Sequence, residues 1–123
     1  MRYLIALLGL CLAAGAHANS NCDKPRNDFD DLYCLNKVYS QTDKDLNDSY
    51  GQLAKLLDND GRRALKSGQL QWMRTRNDSC SYRDQRGFFV NLECATQTTL
   101  ERVRFLQDRV RECKSAGCMN SKL

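Results

Sequence analysis

The sequence predicts an all-α fold, an antiparallel three-helix bundle with a long first helix, stapled by three disulfides. Three observations carry this prediction. Apolar residues recur at helical spacing along most of the chain, only Pro25 interrupts it, and an even number of cysteines follows a segment typical of secretory signals. The sequence contains no glycine-rich linker, internal repeat or low-complexity tract. We therefore expect one domain over residues 19–123.

The first residues have the pattern of a cleavable signal peptide over residues 1–18. A positive residue precedes a short apolar run, and the run ends at Ala16-His17-Ala18, a typical cleavage site. The run is too short to span a bilayer as a helix. Cleavage after Ala18 leaves 105 of the 123 residues, and these contain no histidine. We expect an exported protein that is not inserted in a membrane after signal cleavage.

The first helix is predicted from near Asp28 to the turn signal Asn59-Asp60-Gly61. Its seam steps by three and four residues through Phe29, Leu32, Asn36, Tyr39, Asp43, Leu46, Tyr50, Leu53 and Leu57. Asp43 falls within this apolar seam, where an unpaired carboxylate is costly to bury. We therefore expect Asp43 to pair with Arg76 or Arg102.

The second helix is predicted over about residues 62–80. Gln69, Trp72, Arg76 and Cys80 lie along one of its faces, and Trp72 is expected to be a core anchor. Residues 81–87 are interpreted as a loop, and the third helix is predicted over about residues 88–112, with Phe89 on its seam. Short connections between the helices favour an up, down, up arrangement.

Six cysteines remain after cleavage: Cys22, Cys34, Cys80, Cys94, Cys113 and Cys118. An even number in a short exported chain indicates disulfides. The bundle places the last two at the end opposite the first four, so Cys113 is expected to bond Cys118. Three pairings remain for the others. We favour Cys22 with Cys34 and Cys80 with Cys94, which close short loops, over the alternative of Cys34 with Cys80.

Charge and composition argue against several function classes. Residues 19–60 hold nine acidic and five basic residues, whereas residues 61–123 hold six acidic and thirteen basic ones. The arginines alternate with acidic residues and lack a stacking series of aromatics, so nucleic-acid binding is not indicated. Without histidine, a phosphate-binding glycine loop or reduced cysteines, the chain offers little catalytic machinery. We predict no enzyme activity, no cofactor and no metal.

One set of residues and spacings resembles the LprI-type lysozyme inhibitor family of small exported bacterial proteins. The set comprises Cys22, Cys34, Asp43, Leu46, Asn47, Tyr50, Leu65, Gln69, Trp72, Arg76, Cys80, Cys94, Thr99, Arg102 and Leu106. The resemblance covers nearly all of the chain after the signal. It implies a helical, disulfide-stapled protein of the bacterial periplasm or exterior, and it implies lysozyme inhibition as the activity. The motif residues are expected mostly to pack and pair within the fold.

An inhibitor of lysozyme needs no catalytic groups of its own. The lysozyme cleft uses two carboxyl groups for catalysis, and a protein loop can cover them. The loop at residues 81–87 offers Tyr82, Arg83 and Arg86 as candidate partner-binding residues. Asp30 and Asp31, in the acidic first turn of the first helix, are the other candidates, because they complement a basic lysozyme.

An alternative hypothesis is a periplasmic protein-interaction module of the cell envelope with no lysozyme activity. This hypothesis predicts an exposed apolar patch or self-association instead of lysozyme binding. Tyr33, Leu35, Leu100 and Phe105 lie off the main seams and are candidates for such a patch.

Overall fold

The computed structural model describes residue 22 and residues 24–123, and the predicted signal peptide lies outside the described residues. Helix α1 spans Asp28–Leu56, α2 spans Asn59–Cys80 and α3 spans Leu92–Ser115. Between α2 and α3 the chain forms an antiparallel hairpin of strands β1 (Ser81–Asp84) and β2 (Gly87–Val90). A short 3-10 helix, Asn120–Lys122, follows α3. The predicted three-helix bundle with a long first helix is confirmed.

Each long helix begins at a polar side chain that accepts a hydrogen bond from the backbone of the first turn. Asn27 caps α1, Asp58 caps α2 and Asn91 caps α3. Such caps satisfy backbone N–H groups that have no partner within the helix. Asp58 explains why the predicted boundary was wrong: α1 ends at Leu56, and residues 59–61 form the first turn of α2 instead of a turn between helices.

The hairpin was not predicted from the sequence. Residues 81–87 were expected to form a loop and Phe89 to lie on the third helix, but Phe89 lies in β2 opposite Tyr82. Paired aromatic side chains stabilise neighbouring strands. Gln85 and Arg86 form the turn between the strands, and Gly87 follows it with a φ of 143°. Only glycine adopts this backbone conformation without strain.

Three disulfides fix the two ends of the bundle. They join Cys22 to Cys34, Cys80 to Cys94 and Cys113 to Cys118, so the preferred pairing of the cysteines is confirmed. The second bridge lies directly at the base of the hairpin, where the backbone N–H of Asn91 also donates to the Cys80 carbonyl at 2.8 Å. The hairpin is therefore anchored covalently to both of the helices that it joins.

The core lies in the half of the bundle that is distant from the hairpin. Its buried apolar side chains are Leu46, Leu53, Leu57, Leu65, Val103, Leu106 and Val110. Helix α1 packs most extensively against α3. Small buried side chains, including Thr42, Ser49, Ala95 and Thr99, lie along these two helices and allow their close approach.

The first half of α1 has little cover. The predicted seam begins at Phe29 and Leu32, but these side chains are 84% and 56% exposed, whereas Leu46 and Leu53 on the same seam are buried. Helix α3 begins only at Leu92, so α1 extends past it at this end. The seam is therefore not buried along its whole length.

Candidate functional site

Two sets of residues define the candidate sites: the motif residues around α2, and the residues at the hairpin end of the bundle. The first set lies in two grooves that flank α2. A cavity of about 160 Å³ between α1 and α2 is lined by Asp43, Leu46, Asn47, Tyr50, Gln69, Met73 and Arg76. Six of these seven are residues that carry the family resemblance, so the motif marks the contact between these helices.

Asp43 does not form the predicted ion pair. Within the described residues, no arginine or lysine approaches its carboxylate closely enough to pair with it. The Asp43 carboxylate instead accepts a hydrogen bond of 3.4 Å from the Asn47 amide on the next turn of α1. Asp43 is only half-buried, so water solvates its charge and removes the need for a buried cation.

Arg76 is nearly buried, with 9% of its surface exposed. Its guanidinium donates to the Asn77 side-chain oxygen at 3.1 and 3.2 Å and to the Thr99 hydroxyl at 3.4 Å. The Thr99 hydroxyl in turn donates a hydrogen bond to the Ala95 carbonyl oxygen at 2.6 Å. Neutral oxygens therefore satisfy this buried cation and connect α2 to α3, which is a structural role.

Aromatic and guanidinium groups alternate along the groove between α2 and α3. Arg76 lies 5.0 Å from the centroid of Trp72, Arg102 lies 5.9 Å from Trp72 and 4.4 Å from Phe105, and Arg109 lies 5.2 Å from Phe105. Guanidinium groups at such distances are attracted to the ring faces. Trp72 is half-buried and packs against the core cluster, so it anchors this ladder more than the core itself.

Arg102 is only partly satisfied by hydrogen bonds. Its Nε donates to the Gln69 side-chain oxygen at 2.9 Å, but its Nη2 is buried and has no hydrogen-bond acceptor. Burial lowers the pKa of Arg102 below its ordinary value because desolvation disfavours the charged form. Arg102 holds α3 against Trp72 and Gln69 of α2, which is a structural role.

The hairpin carries the first group of candidate partner-binding residues. Tyr82 and Arg83 of β1 and Arg86 of the turn are all exposed, and the structure brings them together on one hairpin. Tyr82 stacks on Phe89 with ring centroids 5.0 Å apart. The Arg83 guanidinium lies 5.5 Å from the centroid of the Phe88 ring. These contacts give the exposed side chains defined positions before any partner binds.

The two hairpin arginines differ in their charge environment. Arg86 pairs with Asp84 at 2.6 Å, and this contact lowers the pKa of the Asp84 carboxyl because the guanidinium donates hydrogen bonds to the carboxylate. Arg83 forms no ion pair within the described residues. Arg83 therefore retains more capacity to bind a carboxylate on a partner.

Asp30 and Asp31 lie in the first turn of α1, at the same end of the bundle as the hairpin. The Asp30 carboxylate pairs with Arg26 at 2.8 Å, and hydrogen bonds from Arg26 lower the pKa of the Asp30 carboxyl. Asp31 is exposed. The acidic and basic candidates therefore share one end of the molecule but lie on separate elements.

Sequence reasoning missed Phe88 and Phe89, the aromatic residues of β2. A signal for them was present, because Phe-Phe-Val follows a glycine and faces a run containing tyrosine, with a two-residue turn between. Among the described residues, no group of three acidic, cysteine or histidine side chains is arranged to hold a metal ion. No helix in that part of the chain is long and apolar enough to cross a membrane.

Comparison with models of known protein families assigns this chain to a family. A family model described as "Lysozyme inhibitor LprI" matches residues 22–106, which is most of the sequence. The chain belongs to the LprI lysozyme inhibitor family. No curated protein and no solved structure matches it.

The LprI match includes the first two disulfides, all three long helices in whole or part, and the whole hairpin. The third disulfide, Cys113 to Cys118, lies beyond the matched residues. The hairpin and its Cys80–Cys94 anchor thus belong to the LprI domain of this chain. Membership and the disulfides together are typical of an exported protein.

Proposed function

We propose that this chain is a periplasmic or secreted bacterial protein, exported by a signal peptide over residues 1–18, that inhibits lysozyme by placing its hairpin in the enzyme cleft. The observation that carries the proposal is the anchored hairpin of this LprI domain, which presents exposed Tyr82, Arg83 and Arg86. A preorganised loop loses less conformational entropy on binding than a flexible one. The inhibitor does no chemistry of its own.

The charges suggest how the two proteins meet. A lysozyme cleft contains two carboxyl groups, and guanidinium groups are well suited to bind carboxylates. Arg83 has no ion pair among the described residues, so it is the cation that we expect to face these carboxyls. Asp30 and Asp31, at the same end of the bundle, lie where they favour contact with the basic surface beside the cleft of an animal lysozyme.

The experiment is a titration of the oxidised protein against the muramidase activity of animal, goose-type and phage-type lysozymes. Saturable inhibition near an equimolar ratio is the expected result for at least one class. If no class is inhibited even at large excess, the inhibitor proposal is wrong, and the alternative of an envelope interaction module becomes the better one.

Single substitutions locate the inhibitory surface. We expect Arg83→Ala to weaken inhibition by about 10- to 100-fold, as removal of a central interface arginine often does. Arg74→Ala is the matched control, because it removes the same charge from an exposed position outside the hairpin. Equal inhibition by both variants would exclude the hairpin as the inhibitory element.

A further inference from the structure

A stripe on the first half of α1, which begins at Phe29 and Leu32, has little cover from the described residues. Phe29, Leu32, Asn36 and Tyr39 step by three, four and three residues, so they lie on one face of the helix. Phe29 is 84% exposed and Leu32 is 56% exposed. Exposed single apolar residues are common, but Phe29 and Leu32 extend the seam that forms the core farther along the same helix.

A cavity lies beside this stripe, between α1 and the hairpin. Its volume is about 160 Å³, and Tyr39, Phe88, Val90 and Ala95 form its apolar wall. The remaining wall is formed by residues of α2 and β1: Arg76, Asn77, Cys80 and Ser81. A cavity of about 150 Å³ with apolar walls is large enough to hold benzene. This cavity therefore has room for one phenyl ring.

Opposite charges accompany the ring and the cavity. Asp28 is exposed directly beside Phe29, and Arg83 pairs across the hairpin with Phe88 in the cavity wall. Neither side chain forms an ion pair within residue 22 and residues 24–123. One end of the molecule thus carries the exposed Phe29 ring beside the negative Asp28 and the cavity beside the positive Arg83.

We propose that two copies of this chain form a symmetric dimer in which Phe29 of each copy fills the cavity of the other. Asp28 of each copy then meets Arg83 of the other copy. A two-fold interface requires this reciprocity, because every contact in it occurs twice.

The spacing along α1 fits such a two-fold arrangement. Phe29 and Tyr39 are ten residues apart, which is about 15 Å along the helix. Two α1 segments that cross antiparallel midway between these residues bring each Phe29 beside the opposite Tyr39. The two ring contacts then lie on either side of the axis, and both exposed stripes are covered at once.

A second copy is the occupant that these observations favour. The surface contains a ring and a cavity for it, together with a charge and its counter-charge, so it is complementary to itself. The dimer goes beyond the proposed inhibition. It uses the face of the hairpin that carries Phe88, Val90 and Arg83, and it leaves the Tyr82 and Phe89 face free. Because Arg83 also serves the proposed inhibition, the dimer and the lysozyme complex compete for this side chain.

The first experiment measures the oligomeric state of the oxidised chain without its predicted signal peptide, by sedimentation velocity from about 1 µM to about 1 mM, a range that covers weak specific interfaces. We expect a concentration-dependent dimer. Phe29→Ser should weaken dimerisation by at least about 100-fold, because two buried rings are lost per dimer. Leu70→Ser, at an exposed apolar position on α2, is the matched control and should leave the dimer intact.

The second experiment tests the reciprocal charge contact. Asp28→Arg and Arg83→Asp should each be monomeric, because each places like charges together twice. Mixed in equal amounts, the two variants should form a heterodimer, because both contacts then join opposite charges. Glu101→Arg is the control, since it makes the same charge change at an exposed position on α3, away from both proposed contacts.

Three results would overturn the proposed dimer. They are a monomer at every concentration, an equal effect of the Phe29 and Leu70 substitutions, and the absence of heterodimer in the mixture. Lysozyme inhibition by the Phe29→Ser protein is measured separately. Because Phe29 lies outside the proposed inhibitory surface and its loss frees Arg83, a monomeric Phe29→Ser protein should inhibit lysozyme at least as strongly as the parent. Failure of the dimer and failure of the inhibition are therefore distinguishable.

Discussion

Replacing Arg102 by methionine should change the stability of the fold very little, although Arg102 is one of the motif residues. The guanidinium is stacked between Trp72 and Phe105 and has one hydrogen bond, to Gln69. Its buried Nη2 lacks an acceptor, and burial lowers the pKa of Arg102. Methionine keeps the length of the side chain and its contact with the rings but removes the charge.

The expected magnitude follows from opposing contributions to the free energy of unfolding. Two ring contacts contribute about 0.5–1 kcal/mol each, and the hydrogen bond to Gln69 contributes about 1 kcal/mol. Relief of an unsatisfied buried donor offsets about 1–3 kcal/mol of this loss. We therefore expect the free energy of unfolding of the Arg102→Met protein to lie within about 1 kcal/mol of that of the parent protein. Arg102→Ala should cost about 2 kcal/mol, because it also removes the packed stem of the side chain.

Urea unfolding of the oxidised proteins, followed by circular dichroism at neutral pH, measures both values. The free energy of unfolding must depend on urea concentration with a comparable slope in all three proteins, so that differences in the urea midpoint report stability alone. If the methionine variant is destabilised as much as the alanine variant, the charge itself stabilises the ladder and the reasoning above is wrong. Lysozyme inhibition by Arg102→Met should equal that of the parent, because Arg102 lies outside the proposed inhibitory surface.

Two further predictions concern pH and the disulfides. Hydrogen bonds from the α2 backbone and from Asn120 lower the pKa of the Asp58 carboxyl. Its stabilising effect is therefore present above the ordinary pKa of about 4 and is lost as the pH falls through the lowered pKa. The urea midpoints of Asp58→Ala and of the parent should converge as the pH is lowered below about 4. Replacing Cys80 and Cys94 by serine should lower the free energy of unfolding by about 3 kcal/mol and reduce inhibition, since this bridge spans 14 residues. Replacing Cys113 and Cys118, whose bridge spans 5 residues, should lower it by about 2 kcal/mol and preserve inhibition. Equal loss of inhibition by both double variants would contradict a specific role for the hairpin anchor.

Local sequence signals predicted most of the secondary structure but misplaced two boundaries. The boundary between α1 and α2 was misplaced because Asn59-Asp60-Gly61 favours a turn, whereas the Asp58 cap favours a helix that begins one residue later. The hairpin was missed because the apolar run at residues 88–90 also fits the start of a helical seam. Short apolar runs do not distinguish a strand from a helix by periodicity alone.

The candidate sites were predicted only in part. Tyr82, Arg83 and Arg86 were identified as exposed residues, but their ordering by Phe88 and Phe89 depends on strand pairing. Whether these residues bind a partner stays a prediction. Asp43 was expected to meet a cation because its position in the seam suggested full burial, yet the open groove between α1 and α2 leaves it half-solvated.

By itself, the sequence determined the all-α class, the number of long helices and the family resemblance, and it favoured the cysteine pairing that the structure has. These properties follow from local periodicity, residue spacing and the order of the helix ends, all of which are written along the chain. Only the tertiary structure decided that Phe29 is exposed while Leu53 is buried, although both lie on one seam. The physical reason is that burial depends on which elements pack against a given turn of the helix. The first turns of α1 extend beyond the start of α3 and are not covered by it.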